Sequence, residues 1–345
     1  MVRVREGLTV GVLAWAALLS LVCQSVLGRD VKLMIYPQKV SAEAGKYSLL
    51  PVEASLTDGD AVSLYENAVK GLPTDATDWN DIYEWLAMPF DQLPLQEVQA
   101  VLEHQKESLD AVTRAAKCRQ CDWPKRTTQA IMADATGYRQ LASVIRLRTR
   151  YEIARGNWEG AIVSMQTGFG MARHLAQAPA TIQFLDGVGV ALLMHAEVER
   201  FVQGKDAPNL YAALGALPRP FADPGKAIEN DQKTASSRLS RALGGKQAQS
   251  DLKAADDAVR AVAKRLDGGL AALQCIEAIR SWAVSHSGQL PQNLAEITDI
   301  AVPKDPVSGE AFRYTRTGST AVLESAVPAG GEEKDRLRYE IVLKE

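Results

Sequence analysis

Ile276-Glu277-Ala278-Ile279-Arg280-Ser281-Trp282-Ala283-Val284-Ser285-His286-Ser287-Gly288-Gln289-Leu290-Pro291 is the stretch where a long helix hands over to a sheet. Upstream of it, Val259, Val262, Leu266, Leu270, Leu273, Ile276, Ile279 and Ala283 recur every three or four residues. They therefore line one side of a 3.6-residue helix that must bury against something. Gly288 follows the last periodic position and Pro291 comes soon after, the punctuation of a helix end. Pro291 suits the first turn of a short helix through Ile297, where its missing N–H costs nothing. Downstream, Asp305-Pro306-Val307-Ser308-Gly309 has its proline and glycine placed for a turn. Residues 311–315 and 320–327 then flank Arg316-Thr317-Gly318-Ser319 as a hairpin. Residues 336–343 alternate, with Leu337, Tyr339, Ile341 and Leu343 on one side, and predict a third strand. Three strands and a covering helix make a stable unit where two strands do not.

These residues, together with Pro303-Lys304-Asp305-Pro306-Val307-Ser308-Gly309 and Phe312-Arg313-Tyr314, resemble the C-terminal module of uncharacterised exported helical proteins of bacteria with elaborate envelopes. More distantly, they are similar to the helix-to-sheet region of type II secretion major pseudopilins. The resemblance implies a fold and brings no reaction, cofactor or site residue with it. The chain departs from the pseudopilin pattern in two places. Glu6-Gly7-Leu8 lacks the Gly-Phe order of a prepilin cleavage site, and the acidic residues of 328–335 do not follow the pseudopilin calcium-site pattern.

A chain of 345 residues with 46% apolar content buries a sizeable core in one or two domains. Its net charge of −3 offers no basic excess for nucleic acid. Abundant Ala and Leu with only 6% aromatics favour helices over a sandwich. Residues 1–28 read as a targeting segment: Arg3 and Arg5 precede an apolar run over 8–27, and small Gly28 suits a signal-peptidase cut before Arg29. The alternative is an uncleaved anchor to the inner membrane, since about 20 residues span a bilayer. Val22 ahead of Cys23 argues against a lipoprotein. On either reading, residues 29–345 lie outside the cytoplasm, in the periplasm or envelope.

Residues 29–59 form an extended lead-in with a short strand over 31–36. A helix follows over 60–72, with Ala61, Leu64, Tyr65, Ala68 and Val69 on one face. Trp79, Tyr83 and Trp85 mark a second helical patch as core packing, and a single helix is expected from about Pro94 to Ala116. Residues 127–203 are the most strongly helical part. There Gly156-Asn157-Trp158-Glu159-Gly160-Ala161 resembles the inter-helix corner of a tetratricopeptide repeat, although no 34-residue period runs through the chain. Gly187-Val188-Gly189 has no preceding strand or third glycine, so it marks close helix packing and not a nucleotide loop. Four prolines over 208–224 predict a linker. The expected fold is mainly α: an irregular helical-hairpin, tetratricopeptide-like array over 60–207, then a C-terminal α+β module over 225–345 with a long helix and about three antiparallel strands.

Cys118-Arg119-Gln120-Cys121 is the one motif that carries chemistry. In an exported chain this spacing predicts a structural disulfide clip. Thiol–disulfide exchange is the sharper alternative, opposed by a position at a helix end where the dipole disfavours a thiolate. The third reading is two thiols that do not pair with each other, since Cys275 is a third cysteine of the mature chain. His104, His174, His195 and His286 lack metal-ligand spacing, so no metal or cofactor is expected, and His174 and His195 read as packed or surface residues. The sequence has no Gly-x-Ser-x-Gly elbow, His-Glu-x-x-His pair or phosphate-binding Gly-Lys-Ser/Thr loop. The expectation is a non-enzymatic exported envelope protein that binds protein partners as a scaffold, meeting the membrane only through its N-terminal segment. The alternatives are an exported thiol–disulfide oxidoreductase using Cys118 and Cys121, and a pseudopilin-like secretion component.

Overall fold

The computed structural model describes residues 30–43, 45–242, 246–328, 333 and 336–344, with backbone alone at 234–242, 246–249 and 251. The expected leader, its cut between Gly28 and Arg29, and most of the acidic 328–335 loop lie outside the described residues. In chain order the elements are β1 Asp30–Ile35, β2 Thr57–Asp60, α1 Val62–Lys70, α2 Ala76–Ala87, α3 Leu95–His104, α4 Lys106–Ala116 and β3 Cys118–Gln120. Then follow α5 Thr128–Ala154, α6 Trp158–Ala176, α7 Thr181–Phe201, α8 Tyr211–Gly215, α9 Gly225–Ala242 and α10 Lys246–Ser285. β4 Arg313–Thr317, β5 Thr320–Glu324 and β6 Arg338–Leu343 complete the chain. The protein is mainly helical with a small C-terminal sheet, as the periodicities predict.

Local chemistry sets the helix starts. The Asp75 side chain accepts from Thr77 N–H at α2, Thr127 from Ala130 at α5 and Asn157 from Gly160 at α6, each filling an orphan donor of the first turn. Gly156, at φ +67°, turns the chain between α5 and α6. Trp158 at the head of α6 meets Phe201 edge-on, with ring centroids 5.3 Å apart. α6 and α7 approach closely at Gly187, where a Cβ would lie 2.4 Å from the Ala176 nitrogen. α7 is long and apolar enough to cross a membrane, but 78% of its apolar window is buried inside the protein. It is packed as a core helix between α5, α6 and α10.

Four expectations change, three of them in how the segments join. The helix expected over 94–116 is broken at Gln105, whose backbone leaves helical geometry (φ −90°, ψ 11°) and whose side chain is buried between α3 and α4. The stretch 208–224 is not a linker: Leu210, Ala213, Leu214, Leu217 and Phe221 are buried in the common core, so its prolines end α8 without detaching it. The lead-in is not separate from the C-terminal module either. The sheet runs β1-β6-β5-β4, with β4–β5 and β5–β6 antiparallel as expected and β1 parallel to β6, in register from Asp30↔Arg338 to Ile35↔Leu343. The fourth strand therefore comes from the other end of the chain.

One face of that sheet, with Leu33, Ile35, Ala321, Leu323, Tyr339, Ile341 and Leu343, is buried against the helices. The other is charged and solvated, with Lys32 2.8 Å from Glu340. α10 buries the predicted stripe from Val259 to Ala283. It ends where Gly288 N–H returns to the Ala283 carbonyl and both Ser287 and Gly288 have positive φ. The short helix expected through Ile297 is a single 3₁₀ turn over Leu294–Glu296. Asp305 knots the following turn: its carboxylate accepts from Val307 N–H and Ser308 Oγ, and from Ala326 N–H at 2.7 Å beyond β5.

Candidate functional site

Cys118 and Cys121 lie where the start of the helical array is sewn to its middle. β3 pairs in parallel with β2, matching Thr57 to Cys118 and Asp60 to Gln120. The Asp60 carboxylate accepts from Val62 N–H, capping α1, and from Asp122 N–H just after β3. This brings Tyr65 of α1, Trp123, Tyr138 of α5 and His174 of α6 together around the two cysteines.

The polar atoms of this nest close on one another. Tyr65 Oη lies 2.8 Å from His174 Nδ1, and the His174 ring also bonds the backbone carbonyl of Cys118. Trp123 Nε1 donates to the His174 carbonyl at 2.7 Å. The Tyr65 and Trp123 rings stack with centroids 6.1 Å apart, and Trp123 meets Tyr138 edge-on at 5.5 Å. Burial, the largest influence, pushes the His174 pKa down to about 4, so the ring is neutral at physiological pH. Burial also raises the Tyr65 phenol well above its ordinary value.

The expected disulfide is not formed: Cys118 and Cys121 are both free thiols. The physical reason is β3 itself. A chain held extended advances about 3.3 Å per residue, whereas a disulfide needs its Cα atoms within about 7 Å. Cys118 instead directs its Sγ to the Arg114 carbonyl at 3.6 Å, back along α4. Burial, followed by the negative charge of Asp60, pushes the Cys121 thiol upward, the reverse of what a nucleophilic cysteine needs. Cys275 is buried apart from them in α10, and burial pushes it up to about 12.

A second polar joint fixes the sheet to the array. Tyr339 Oη of β6 donates to Glu199 Oε1 at 2.8 Å and lies 3.3 Å from His195 Nε2, both on α7. Further along α10, fully buried Arg280 pairs with Glu277 through Nη1 at 2.9 Å and donates to the carbonyls of Tyr36 and Ala207. Asn209 reaches the carbonyls of Gln38 and Glu277, joining the same three segments. His104 and His286 are exposed, and His286 stacks flat on Trp282 with ring centroids 3.6 Å apart. No group of three His, Cys, Asp or Glu side chains placed to hold a metal exists among the described residues.

Of the residues singled out from sequence, the fold therefore brings Cys118, Cys121 and His174 together and keeps His195 in a separate joint. Tyr65, Glu199, Glu277, Arg280 and Tyr339 were not singled out. Glu277 and Arg280, three apart inside an apolar stripe, carried the one legible signal, since charges within a buried face need partners. Comparisons with known protein families, with curated proteins and with solved structures find no match to this chain.

Proposed function

We propose that this chain is a non-catalytic, exported component of the cell envelope that holds or presents protein partners. The observation that carries this reading is the closure of its buried polar joints. His174 ends on Tyr65 and a backbone carbonyl, while Arg280 ends on Glu277 and two carbonyls. Such groups orient helices and strands and offer no acid, base or nucleophile to a substrate. Thiol exchange draws no support from Cys121, whose burial favours the protonated form. Tyr83, Leu95, Met132 and Val163 are large apolar side chains left exposed on the array and are the natural first probes for contact with partners.

The test is site-specific photocrosslinking in cells from those four positions and from the charged sheet face at Lys32. Discrete adducts from array positions but not from Lys32, in the envelope fraction, are the expected result. Uniformly absent adducts together with a cytoplasmic location would overturn the reading.

A further inference from the structure

The two edges of the C-terminal sheet are finished differently. At β1, the Met34 N–H donates to the Gln203 side chain at 3.2 Å, so a residue just after α7 takes up part of that edge. At β4 no such partner is present. The turn Gly318-Ser319, with Gly318 at φ +63°, closes the β4–β5 hairpin on Thr317 and Thr320. Residues of an antiparallel ladder face their partner strand alternately. Thr317, Thr315 and Arg313 therefore bond to β5, while Tyr314 and Arg316 turn their N–H and C=O outward. No hydrogen bond reaches those outward groups among the described residues.

A row of unpaired backbone groups is a template for another strand. Two of the usual guards against pairing are absent, since β4 has no proline and its register with β5 runs without a bulge. A third is turned aside: Arg316 is folded back, with Nε on the Gly318 carbonyl at 2.9 Å and Nη1 on the Leu290 carbonyl. Arg313, Thr315 and Thr317 are exposed, and no strand lies beyond β4.

The strand that fits this edge is β4 itself. Run antiparallel about a two-fold axis at Thr315, Tyr314 of one copy falls opposite Arg316 of the other, and every outward N–H and C=O finds a partner. The side chains match in charge as well. Each Arg316 guanidinium meets a tyrosine ring, Arg313 faces Thr317, and Thr315 faces its own copy, so no like charges oppose each other.

We propose that the β4 edge is a contact between two copies of this chain, joining two four-stranded sheets into one continuous sheet across a two-fold axis at Thr315. A five-residue strand makes a small contact, so the dimer is expected to be weak. It stands whether or not the helical array holds other proteins.

The test is cysteine pairing in the full chain, with oxidised glutathione as the oxidant and the wild type as control. Across the axis the two Thr315 Cα atoms lie about 4.5 Å apart, within reach of a disulfide, whereas the two Arg313 Cα atoms lie about 13 Å apart. Thr315→Cys should therefore form a covalent dimer at least about tenfold faster than Arg313→Cys. A mixture of Arg313→Cys and Thr317→Cys should form the mixed dimer. All three positions are exposed, so an unaltered circular dichroism spectrum is expected. In sedimentation, Thr315→Glu and Thr315→Lys should each weaken the dimer about tenfold or more by placing like charges on the axis, and mixing the two should restore it. Equal rates for Thr315→Cys and Arg313→Cys, or sedimentation unchanged in Thr315→Glu, would overturn the proposal. A photocrosslink from position 315 to a different protein in cells, without the Thr315→Cys dimer, would give the edge to another protein's strand and overturn it equally.

Discussion

The protein uses a tyrosine and a histidine twice to fasten its parts, and the two joints differ in charge. In the array, Tyr65 and His174 meet at 2.8 Å with only a backbone carbonyl behind the imidazole. At the sheet, Tyr339 and His195 are 3.3 Å apart and share the Glu199 carboxylate, and a separate ionic cluster, Glu277–Arg280, sits further along α10. The neutral joint lies inside a stack of aromatic rings and locks neighbouring helices. The Glu277–Arg280 cluster ties together segments as distant in sequence as Tyr36, Ala207 and Arg280. Buried ions are poor stabilisers relative to apolar packing, but removing one partner is severe. The neutral joint should thus respond to pH and the ionic one to substitution.

Arg280→Met should have the largest effect, since it leaves Glu277 buried without a partner and frees two backbone carbonyls. A loss of about 3 to 5 kcal/mol in urea unfolding is expected; a loss below about 1 kcal/mol would remove the ionic half of the contrast. Acid comes next. His174 falls from an ordinary 6.5 to about 4 in the folded chain, so the unfolded chain binds the extra proton between those values. Its contribution is complete above pH 6.5 and lost as pH falls toward 4, worth about 3 kcal/mol. His174→Gln should flatten that part of the stability–pH profile, and an unchanged profile would relocate the acid sensitivity.

Tyr339→Phe should cost about 1 to 3 kcal/mol by taking a donor from buried Glu199. The smallest effect belongs to Cys121→Ala, expected within about 1 kcal/mol because no disulfide is lost with it. Alkylation of Cys121 should also be slow in the native protein and fast in urea. Rapid native labelling would place the thiol in contact with solvent and reopen its chemistry.

What the sequence disclosed follows from how local each signal is. The stripe from Val259 to Ala283, the hairpin turned by Gly318 and the alternation ending in Leu343 all lie within a dozen or so residues of their own periodicity. The pairing of Asp30–Ile35 with Arg338–Leu343 joins strands some three hundred residues apart and leaves no local mark, so Val31 and its neighbours read only as an extended lead-in. Cys118 and Cys121 misled for the same reason: their spacing suggests a bridge, but β2, about sixty residues earlier, holds Cys118 on an extended strand that ends just before Cys121. The prolines around α8 suggested a boundary because proline reports backbone freedom, not the burial of the apolar residues between. Of the candidate site, the cysteines and His174 were visible; their partners were not, because Tyr65 and Trp123 are ordinary core residues until the fold aims their polar atoms.

The β1–β6 pairing also sets an order of events. A chain made from its N-terminus presents Asp30–Ile35 early, yet its neighbour Arg338–Leu343 arrives some three hundred residues later. Until then Leu33 and Ile35 have no finished sheet to cover them. Residues 57–201 carry their own strand pair and helix stack, to which β6 adds the Tyr339–Glu199 contact. A chain cut short before Arg338 would therefore leave the opening strand unpaired and Leu33 and Ile35 uncovered.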